Sequence, residues 1–244
     1  MLSSSSSRLF LLPSSLGEMD PSWVLPVIYP EIIQPLRVFF VEETRTARRF
    51  LRRAGFKVPF EDVCFLEINE HTIETNLEEF ILNQGLSEEW LSKQDIGLLS
   101  EAGLPCVADP GAKVVEWAHR KKIKVVPVSG PSSIFLALMA SGFNGQNFCF
   151  HGYLPVKPEE RLRKIKELEN ASLQRNQTQI FIETPYRNQH LLESILSCCK
   201  RETMLCIAKN ITLAQEDIRS LSIEEWRKNI PNLQKQNTVF LLMA

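Results

Sequence analysis

The sequence predicts an α/β protein made of two units, the first built on a mostly parallel sheet. Short apolar runs typical of buried strands alternate with segments whose apolar residues recur at helical spacing, which favours parallel strands joined by right-handed crossovers. The 244 residues are 44% hydrophobic, enough for a substantial core. A second series of strands and helices begins near Asn147 without a flexible linker. We therefore predict domains at residues 1–144 and 145–244.

Five apolar runs in the first unit predict strands, at residues 9–12, 37–41, 63–67, 96–99 and 124–128. Helices are expected between them, and the first, residues 44–54, is strongly basic and stops at Gly55. Thr75 and Glu78 have the spacing of a capping box for the next helix. Two more helices are expected at residues 112–121 and 134–141, the latter ending at Gly142.

The second unit is predicted to contain strands at residues 148–150, 180–182, 204–208 and 238–243. Helices are predicted at residues 159–168 and 187–199. A short helix around Trp226 has Ser222 and Glu225 at the positions of a capping box.

The loop after the central strand, residues 100–111, is predicted to hold a small polar ligand of positive character. It follows the carboxyl end of a strand, where ligands bind in open α/β sheets. Its glycines permit backbone torsions that other residues resist, and its prolines make the backbone of the loop stiff. Glu101 and Asp109 give it a negative lining. Asp109 also has the position of an N-cap for a helix starting at Pro110, so we expect either capping alone or capping together with shaping of the loop.

Composition argues against several other classes of protein. With 28 basic and 29 acidic side chains the formal net charge is −1, so contact with nucleic acid requires a local basic patch. The first strand is not followed by the glycine pattern of a dinucleotide-binding fold. The six cysteines form no Cys-x-x-Cys pair and no zinc-like spacing, so we expect no metal site and a reduced, cytoplasmic location. No apolar run spans a bilayer, and residues 8–12 are too short for a signal peptide.

Two predicted helices, together with the residues next to them, carry runs of basic residues. The first run comprises Arg45, Arg48, Arg49, Arg52, Arg53 and Lys57, and the second comprises Lys157, Arg161, Arg163, Lys164 and Lys166. A charge run is usually a solvated face. Because acidic side chains are scarce on the first helix, a surface that binds phosphates is an equally open interpretation there.

Several segments, in order along nearly the whole chain, resemble motifs of the tetrapyrrole methylase superfamily. The sequence SEAGLPCVADPG at residues 100–111 resembles its S-D-A-G-x-P-x-x-x-D-P-G signature. Further segments are similar to motifs of the branch that contains the ribosomal RNA small-subunit cytidine 2′-O-methyltransferases. These segments are residues 9–17, 42–45, 70–71, 126–133, 152–155 and 183–187.

This resemblance implies a fold of two α/β domains, with a smaller C-terminal mixed-sheet domain and S-adenosylmethionine (SAM) in the cleft between the domains. It also implies a homodimer that acts on ribosomal RNA or the small ribosomal subunit. The sulfonium and ammonium of SAM suit carbonyls and acids, and its carboxylate suits amide groups and the helix N-terminus after Ser132. The expected cofactor-binding residues are Pro13, Ser14, Ser100, Glu101, Ala102, Gly103, Pro105, Asp109, Ser129, Gly130, Pro131, Ser132, Ser133, Pro185 and Ala208.

Methyl transfer is an in-line displacement, so the enzyme must position the nucleophile. A ribose 2′-hydroxyl is a weak acid that a nearby base would activate. The candidate bases are His71, Glu43 and Glu183, each in a loop after a predicted strand. The alternative for His71 is an ordinary loop histidine without a catalytic role. The alternative for Glu43 is a structural ion pair with Arg45, and the alternative for Glu183 is a structural ion pair with Arg187. Arg45, Arg48 and Arg187 are expected to bind substrate.

The sequence departs from the family pattern in the second unit. Residues 209–213 read KNITL where the family has R-E-L-T-K, and residues 236–237 read QN where it has G-E. The sequence ends at Ala244, where longer members carry a further C-terminal region, so we expect a short form. These departures keep two other functions open: a methyltransferase for a tetrapyrrole or other small molecule, and a non-catalytic SAM-binding protein.

Overall fold

A computed structural model describes residues 7–68 and 77–244. The chain divides into two compact units, Met1–Pro131 and Ser132–Ala244. This division lies earlier than the predicted boundary after residue 144. The predicted capping residue Thr75 and the candidate base His71 lie outside the described residues. Within the described residues, no helix is long and apolar enough to cross a membrane.

The first unit contains a five-stranded parallel sheet, which confirms the predicted fold class. The strand order is β3-β2-β4-β1-β5. The strands are β1 (Arg8–Leu12), β2 (Val38–Val41), β3 (Cys64–Glu67), β4 (Ile96–Leu99) and β5 (Lys124–Pro127). The central strands read as continuous apolar runs because both faces of a parallel sheet are covered.

Helices cover both faces of this sheet. They are α1 (Tyr29–Ile33), α2 (Thr44–Arg53), α3 (Leu77–Asn83), α4 (Glu88–Leu91) and α5 (Ala112–Arg120). Phe40 and Trp117 belong to the core on one face, and Phe39 and Leu51 belong to the core on the other. Neighbouring residues of β2 therefore point into opposite cores, as the two-residue period of a strand requires.

The order of the strands creates a switch point between β1 and β4. These two strands are neighbours, but the chain leaves β1 towards β2 on one side and leaves β4 towards β5 on the other. Connections that depart in opposite directions leave a crevice at the carboxyl ends of the strands, where open α/β sheets bind ligands.

The second unit contains a mixed five-stranded sheet in the order β6-β7-β10-β8-β9, with β6 and β7 parallel and the other pairs antiparallel. The strands are β6 (Phe148–Tyr153), β7 (Thr178–Ile182), β8 (Met204–Lys209), β9 (Asp217–Ser222) and β10 (Thr238–Met243). Strand β9 has no counterpart in the sequence prediction. Its sequence, DIRSLS, is largely polar because it lies at the sheet edge.

The helices of the second unit explain where the division lies. They are α6 (Ser133–Ser141), α7 (Pro158–Arg175), α8 (Asn188–Cys198) and α9 (Ile223–Lys228). Helix α6 packs on β8, β9 and β10, and Ser220 Oγ donates to the carbonyl of Ser141 at 2.7 Å. This helix therefore belongs to the second sheet, although the sequence prediction assigned it to the first domain. The predicted capping box of Ser222 and Glu225 is present at α9.

Candidate active site

Three loops of the first unit meet at the switch point. The amide of Ser14, after β1, donates to the carbonyl oxygen of Gly103, after β4, at 2.9 Å. Ser100 Oγ donates to the same oxygen at 3.0 Å. The third loop follows β5, and a Cβ built on Gly130 would lie 2.2 Å from Cβ of Pro13. The backbones of the three loops are therefore in close contact.

Glycine is required where the loops touch. Gly103 has φ +78°, a left-handed conformation that other residues adopt at a cost. A Cβ there would also lie 3.3 Å from the carbonyl oxygen of Pro131. The first loop is anchored from the other side, because the buried hydroxyl of Tyr29 donates to the carbonyl of Pro13 at 2.8 Å. The junction of the loops is thus fixed by one backbone bond between Ser14 and Gly103 and by the hydroxyls of Ser100 and Tyr29.

The second half of the long loop is held in a strained form by Asp109. Cys106 and Ala108 have φ values of 68° and 62°, which are uncommon for residues with a side chain. The Asp109 carboxylate accepts hydrogen bonds from the amides of Cys106 and Gly111, each at 2.8 Å. Burial raises the pKa of Asp109, and these two bonds oppose the rise.

The prediction that Asp109 is the N-cap of the following helix is wrong. Helix α5 begins at Ala112, its N-cap is Gly111, and no side chain caps it. Asp109 satisfies amides within the loop instead, because Pro110 and Gly111 form a turn before the helix. Of the two expected roles, shaping the loop is the one that the geometry supports.

Glu42 is the acidic residue beside the long loop that sequence reasoning missed. Its Oε1 accepts a hydrogen bond from the amide of Glu101 at 3.0 Å. Burial raises the pKa of Glu42, and the charges of Asp109 and Glu101 raise it further, while the amide bond lowers it. Val41 and Leu99 pair across β2 and β4, so the residues after them, Glu42 and Ser100, are brought side by side. That register is the signal that would have found Glu42.

Glu43, which the sequence singled out, has a different position. It is exposed, and no ion pair with Arg45 is found among residues 7–68 and 77–244, so that alternative is wrong. The Glu43 carbonyl accepts from Thr46 Oγ1 at 3.0 Å. Thr46, Glu42 and Ser100 line a cavity of about 20 Å³ between the loops after β2 and β4, which has room for one water molecule.

The Ser14 hydroxyl is a buried polar group without a partner in the described part of the chain. Ser14 is 2% exposed, and an unsatisfied buried hydroxyl is uncommon enough to indicate a ligand or a water at that place. The remaining expected cofactor residues of this unit line the same loops. Ser100 and Pro105 are buried, and Glu101, Ala102 and Ser129 are exposed.

A polar cluster in the second unit lies after β7. The Glu183 side chain is 1% exposed and forms an ion pair with Arg187 at 2.6 Å. The same oxygen accepts from the Thr184 amide at 2.7 Å. Glu183 Oε2 and Arg187 Nε are buried without partners in the described residues. The expected ion pair is therefore present, and one polar atom of each side chain is left for a ligand.

The two departures from the family pattern contact each other next to this cluster. Asn210 Nδ2 donates to Gln236 Oε1 at 2.5 Å, and Asn188 Nδ2 donates to the Gln236 carbonyl at 2.6 Å. Asn188 Oδ1 is buried without a partner in the described residues. Residues 210 and 236 thus replace a family acid and a family glycine with a neutral hydrogen-bonded pair.

The other expected cofactor residues of the second unit occupy different positions. The Pro185 carbonyl accepts from the Lys235 amide at 3.0 Å. Ala208 is buried in β8, between β9 and β10. Ser132 is the N-cap of α6, where its hydroxyl accepts from the Phe135 amide, and Ser133 is the first residue of that helix.

The two basic runs differ in their partners. In the described residues no arginine of α2 takes part in an ion pair, but Arg48 lies over the rings of Phe60 and Phe65 at 5.5 and 5.1 Å. Arg48, an expected substrate-binding residue, is therefore engaged within its own unit. In α7, Arg161 is buried and its Nε donates to Ser194 Oγ at 2.9 Å. Lys157 and Lys164 of the same run pair with nearby glutamates.

Comparison with known proteins identifies the family. Residues 31–226 match the model described as Tetrapyrrole (Corrin/Porphyrin) Methylases. The chain belongs to the tetrapyrrole methylase family. The match spans both units, so the loops after β4 and β7 lie within the matched region, and the chain is a methyltransferase by family membership.

Curated relatives in this family share one name, Ribosomal RNA small subunit methyltransferase I. The Vibrio cholerae protein is 28% identical over 237 residues, covering 96% of this chain and 76% of that protein. The Pseudomonas aeruginosa protein is 29% identical, covering 98% of this chain and 79% of that protein. The Haemophilus influenzae protein is 31% identical, covering 82% of this chain and 67% of that protein.

Proposed function

We propose that this family member transfers a methyl group from SAM to the 2′-hydroxyl of a cytidine in small-subunit ribosomal RNA. The observation that carries the proposal is the meeting of three loops beside the Glu42 carboxylate, at the switch point of a methylase fold. Relatives named as small-subunit ribosomal RNA methyltransferases, similar over nearly the whole chain, support RNA as the substrate.

The residues at the switch point fit the chemistry of SAM, which supplies an electrophilic methyl group on a sulfonium. Half-buried Glu42 and exposed Glu101 suit the cationic groups of the cofactor, because opposite charge within a few ångströms is stabilising where water is partly excluded. The unpartnered Ser14 hydroxyl offers a further hydrogen bond. The N-terminus of α6, after Ser132, suits a carboxylate. Pro185 and Ala208 remain predicted contacts.

Glu183 is the best-supported candidate for a base. Its Oε2 is buried and has no partner in the described residues, so it is free to accept a proton from a hydroxyl, while Arg187 holds the other oxygen. A base within hydrogen-bond reach lowers the barrier to attack by a weakly acidic alcohol. Arg187 Nε, also unpartnered, is suited to donating to a phosphate or hydroxyl of the substrate. Glu43 and His71 stay predicted alternatives.

The test is transfer of labelled methyl from SAM to RNA by the purified protein. We expect label in immature small subunits or their RNA and background levels in large-subunit RNA, which serves as the control. The Glu183→Gln variant should bind SAM as the wild type does but transfer methyl at least ~100-fold more slowly, the usual scale for loss of a general base. Absence of label from every small-subunit substrate would remove the RNA assignment.

One other function has specific support. The family description names corrin and porphyrin methylases, so a tetrapyrrole substrate is the second candidate, and turnover of a corrin precursor would favour it. The neutral pair Asn210–Gln236 stands where the family carries a charged residue and a glycine. It does not support the alternative of a non-catalytic SAM-binding protein, because the family match makes the chain a methyltransferase. The homodimer and the cytoplasmic location stay predictions.

A further inference from the structure

A cavity of about 270 Å³ opens on the first unit beside α1. Its inner wall reaches the junction of the three loops, because the Tyr29 hydroxyl donates to the Pro13 carbonyl and Leu25 lies 3.6 Å from a Cβ built on Gly130. Its lining is mostly proline and aliphatic, including Leu25, Pro26 and Val27, with Arg53 on one wall. Val27 is 98% exposed and the neighbouring Trp23 is 79% exposed. An apolar hollow next to large exposed side chains is typical of a binding surface. Its volume lies just below the ~300 Å³ at which pockets for drug-sized ligands begin, which suits a single ring system.

A row of arginines leads from the carboxyl edge of the sheet to this cavity. Arg45, Arg49 and Arg53 are four residues apart, so they share one face of α2. All three are exposed. Arg45 and Arg49 have no partner within residues 7–68 and 77–244, and Arg53 donates to the Met19 carbonyl. The row begins beside the loop that carries Glu42 and extends ~12 Å along the helix axis, at ~1.5 Å per residue.

The other arginines of α2 form a different row with a structural role. Arg52 lies over the Phe60 ring at 4.0 Å and donates to the Phe56 carbonyl at 2.8 Å. Arg48 lies over Phe60 and Phe65. Packing on aromatic rings gives these two charges a partner within the fold. The helix therefore carries one basic row that packs on aromatic rings and a second row in which only Arg53 has a hydrogen bond to the described part of the chain.

The exposed row of Arg45, Arg49 and Arg53 is suited to bind an anionic ligand. Like charges four residues apart destabilise a helix by a few tenths of a kcal/mol per pair, and no described acid forms an ion pair with this row. Asp20, which feels the charge of Arg53, accepts a hydrogen bond from the Ser22 amide at 3.0 Å. A ligand with phosphates at regular spacing would offset the repulsion and gain affinity through counterion release.

We propose that this surface binds a single-stranded segment of RNA, with phosphates on Arg45, Arg49 and Arg53 and one unpaired base in the cavity next to Trp23. Sequence-tolerant RNA binding combines a basic track with aromatic or apolar stacking surfaces in this way. The inference rests on the proposed RNA methyltransferase function. It adds an RNA contact outside the methyl-transfer site, which holds the substrate strand while the target nucleotide enters that site.

The first experiment maps the contact directly. A short single-stranded RNA carrying 4-thiouridine is cross-linked to the full chain by near-ultraviolet light, and the modified peptides are identified by mass spectrometry. We expect cross-links within residues 21–30. Cross-links confined to the second unit would overturn the inference.

The second experiment measures affinity for the same RNA against salt concentration, by fluorescence anisotropy. Each phosphate contact on a single strand contributes ~0.7 to the slope of log K against log salt, so the double variant Arg45→Ala/Arg49→Ala should lower the slope by about 1.4. The matched control is Arg163→Ala/Lys166→Ala, two exposed charges of α7, which should leave the slope unchanged. An unchanged slope in the first variant would refute the phosphate track.

The cavity is tested by Val27→Asp, which places a carboxylate at an exposed wall position. We expect at least tenfold weaker RNA binding, because the carboxylate lies where the base packs and repels the neighbouring phosphate. Val156→Asp, at an exposed valine of the second unit, is the control. If Val27→Asp instead converts a dimer to a monomer and leaves RNA affinity intact, the cavity belongs to a second copy of the chain and the inference is wrong.

These outcomes separate the inference from the function it rests on. A protein that methylates ribosomal RNA while all these variants bind RNA normally would retain the proposed function and lose the second contact. A protein that binds no RNA at all would lose both. SAM affinity should be the same in every variant, because none of the substituted residues lies in the three loops.

Discussion

Replacing Gly130 by alanine should disrupt the junction of the three loops without unfolding either unit. The added Cβ would lie 2.2 Å from Cβ and 2.3 Å from Cγ of Pro13, far inside the ~3.5–4.0 Å of a normal carbon–carbon contact. The proline ring is stiff, and its carbonyl is held by the Tyr29 hydroxyl at 2.8 Å. The clash is therefore relieved by separating the loops, and overpacking of this kind costs ~1–3 kcal/mol.

The strain should reappear as lost affinity for SAM, because the separated loops must be brought back together to bind it. A loss of 1.4 to 2.8 kcal/mol corresponds to roughly 10- to 100-fold weaker binding. Isothermal titration calorimetry measures the affinity, and circular dichroism reports whether both units remain folded.

Gly145→Ala is the matched control for this substitution. Gly145 lies in the second unit, its φ is outside the left-handed region, and no atom lies within 4 Å of a Cβ built there. We expect less than a twofold change in SAM affinity. A folded Gly130→Ala protein that binds SAM as tightly as the wild type would refute the assignment of these loops to the cofactor.

Three further substitutions test the Glu42 carboxylate, the Tyr29 hydroxyl and the Glu183–Arg187 ion pair. Glu42→Gln should weaken SAM binding, and the SAM affinity of the variant should increase less with pH than that of the wild type in calorimetric titrations. The reason is that the pKa of Glu42 is raised, so its negative charge, which attracts SAM, forms only above the usual pH range of a carboxyl. Without ligand, the same variant should have a slightly higher melting temperature than the wild type at pH 7. A carboxyl with a raised pKa makes the wild type lose stability as the pH rises through that pKa, and glutamine removes this effect. A lower melting temperature would contradict this. Tyr29→Phe should lower stability by ~1–3 kcal/mol in urea titrations by leaving the buried Pro13 carbonyl unpaired, and an unchanged midpoint would show that the bond is dispensable. Arg187→Ala should destabilise the second unit by about 3 kcal/mol because the buried Glu183 carboxylate loses its partner, and adding Glu183→Gln should recover part of the loss.

The sequence predicted strand positions well where a strand is buried on both faces. The apolar runs at Ile96–Leu99 and Thr238–Met243 coincide with β4 and β10, because central strands need apolar residues on both sides. Strand β9, Asp217–Ser222, escaped prediction because an edge strand contacts the core on one side only. The alternation in its sequence is too polar to distinguish it from a loop.

The site was predictable as a set of loops but not as a set of contacts. Sequence indicated that residues 100–111 form a ligand loop, but it could not show that Glu42, rather than Glu43, approaches Glu101. That choice depends on the register between β2 and β4, which is a tertiary property. The sequence also could not show which arginines of α2 pack on aromatic rings and which do not, because only folding brings Phe60 next to Arg48 and Arg52.

The departures from the family motif also became interpretable only in three dimensions. Residues 210 and 236 are far apart in the sequence. Considered separately, the first is the loss of a family acid and the second is the loss of a family glycine. In the structure they are hydrogen-bonded to each other at 2.5 Å. The paired change gives each of the two replaced side chains a polar partner, while the neighbouring Asn188 Oδ1 is buried without a partner in the described residues.

Methylation of the small-subunit RNA by this protein is best tested by mass mapping of that RNA in three kinds of cells: with the gene, without it, and without it but complemented by the Gly130→Ala variant. We expect one cytidine whose 2′-O-methyl group is present in the first cells, absent in the second and strongly reduced in the third. Identical methylation in cells with and without the gene would contradict it.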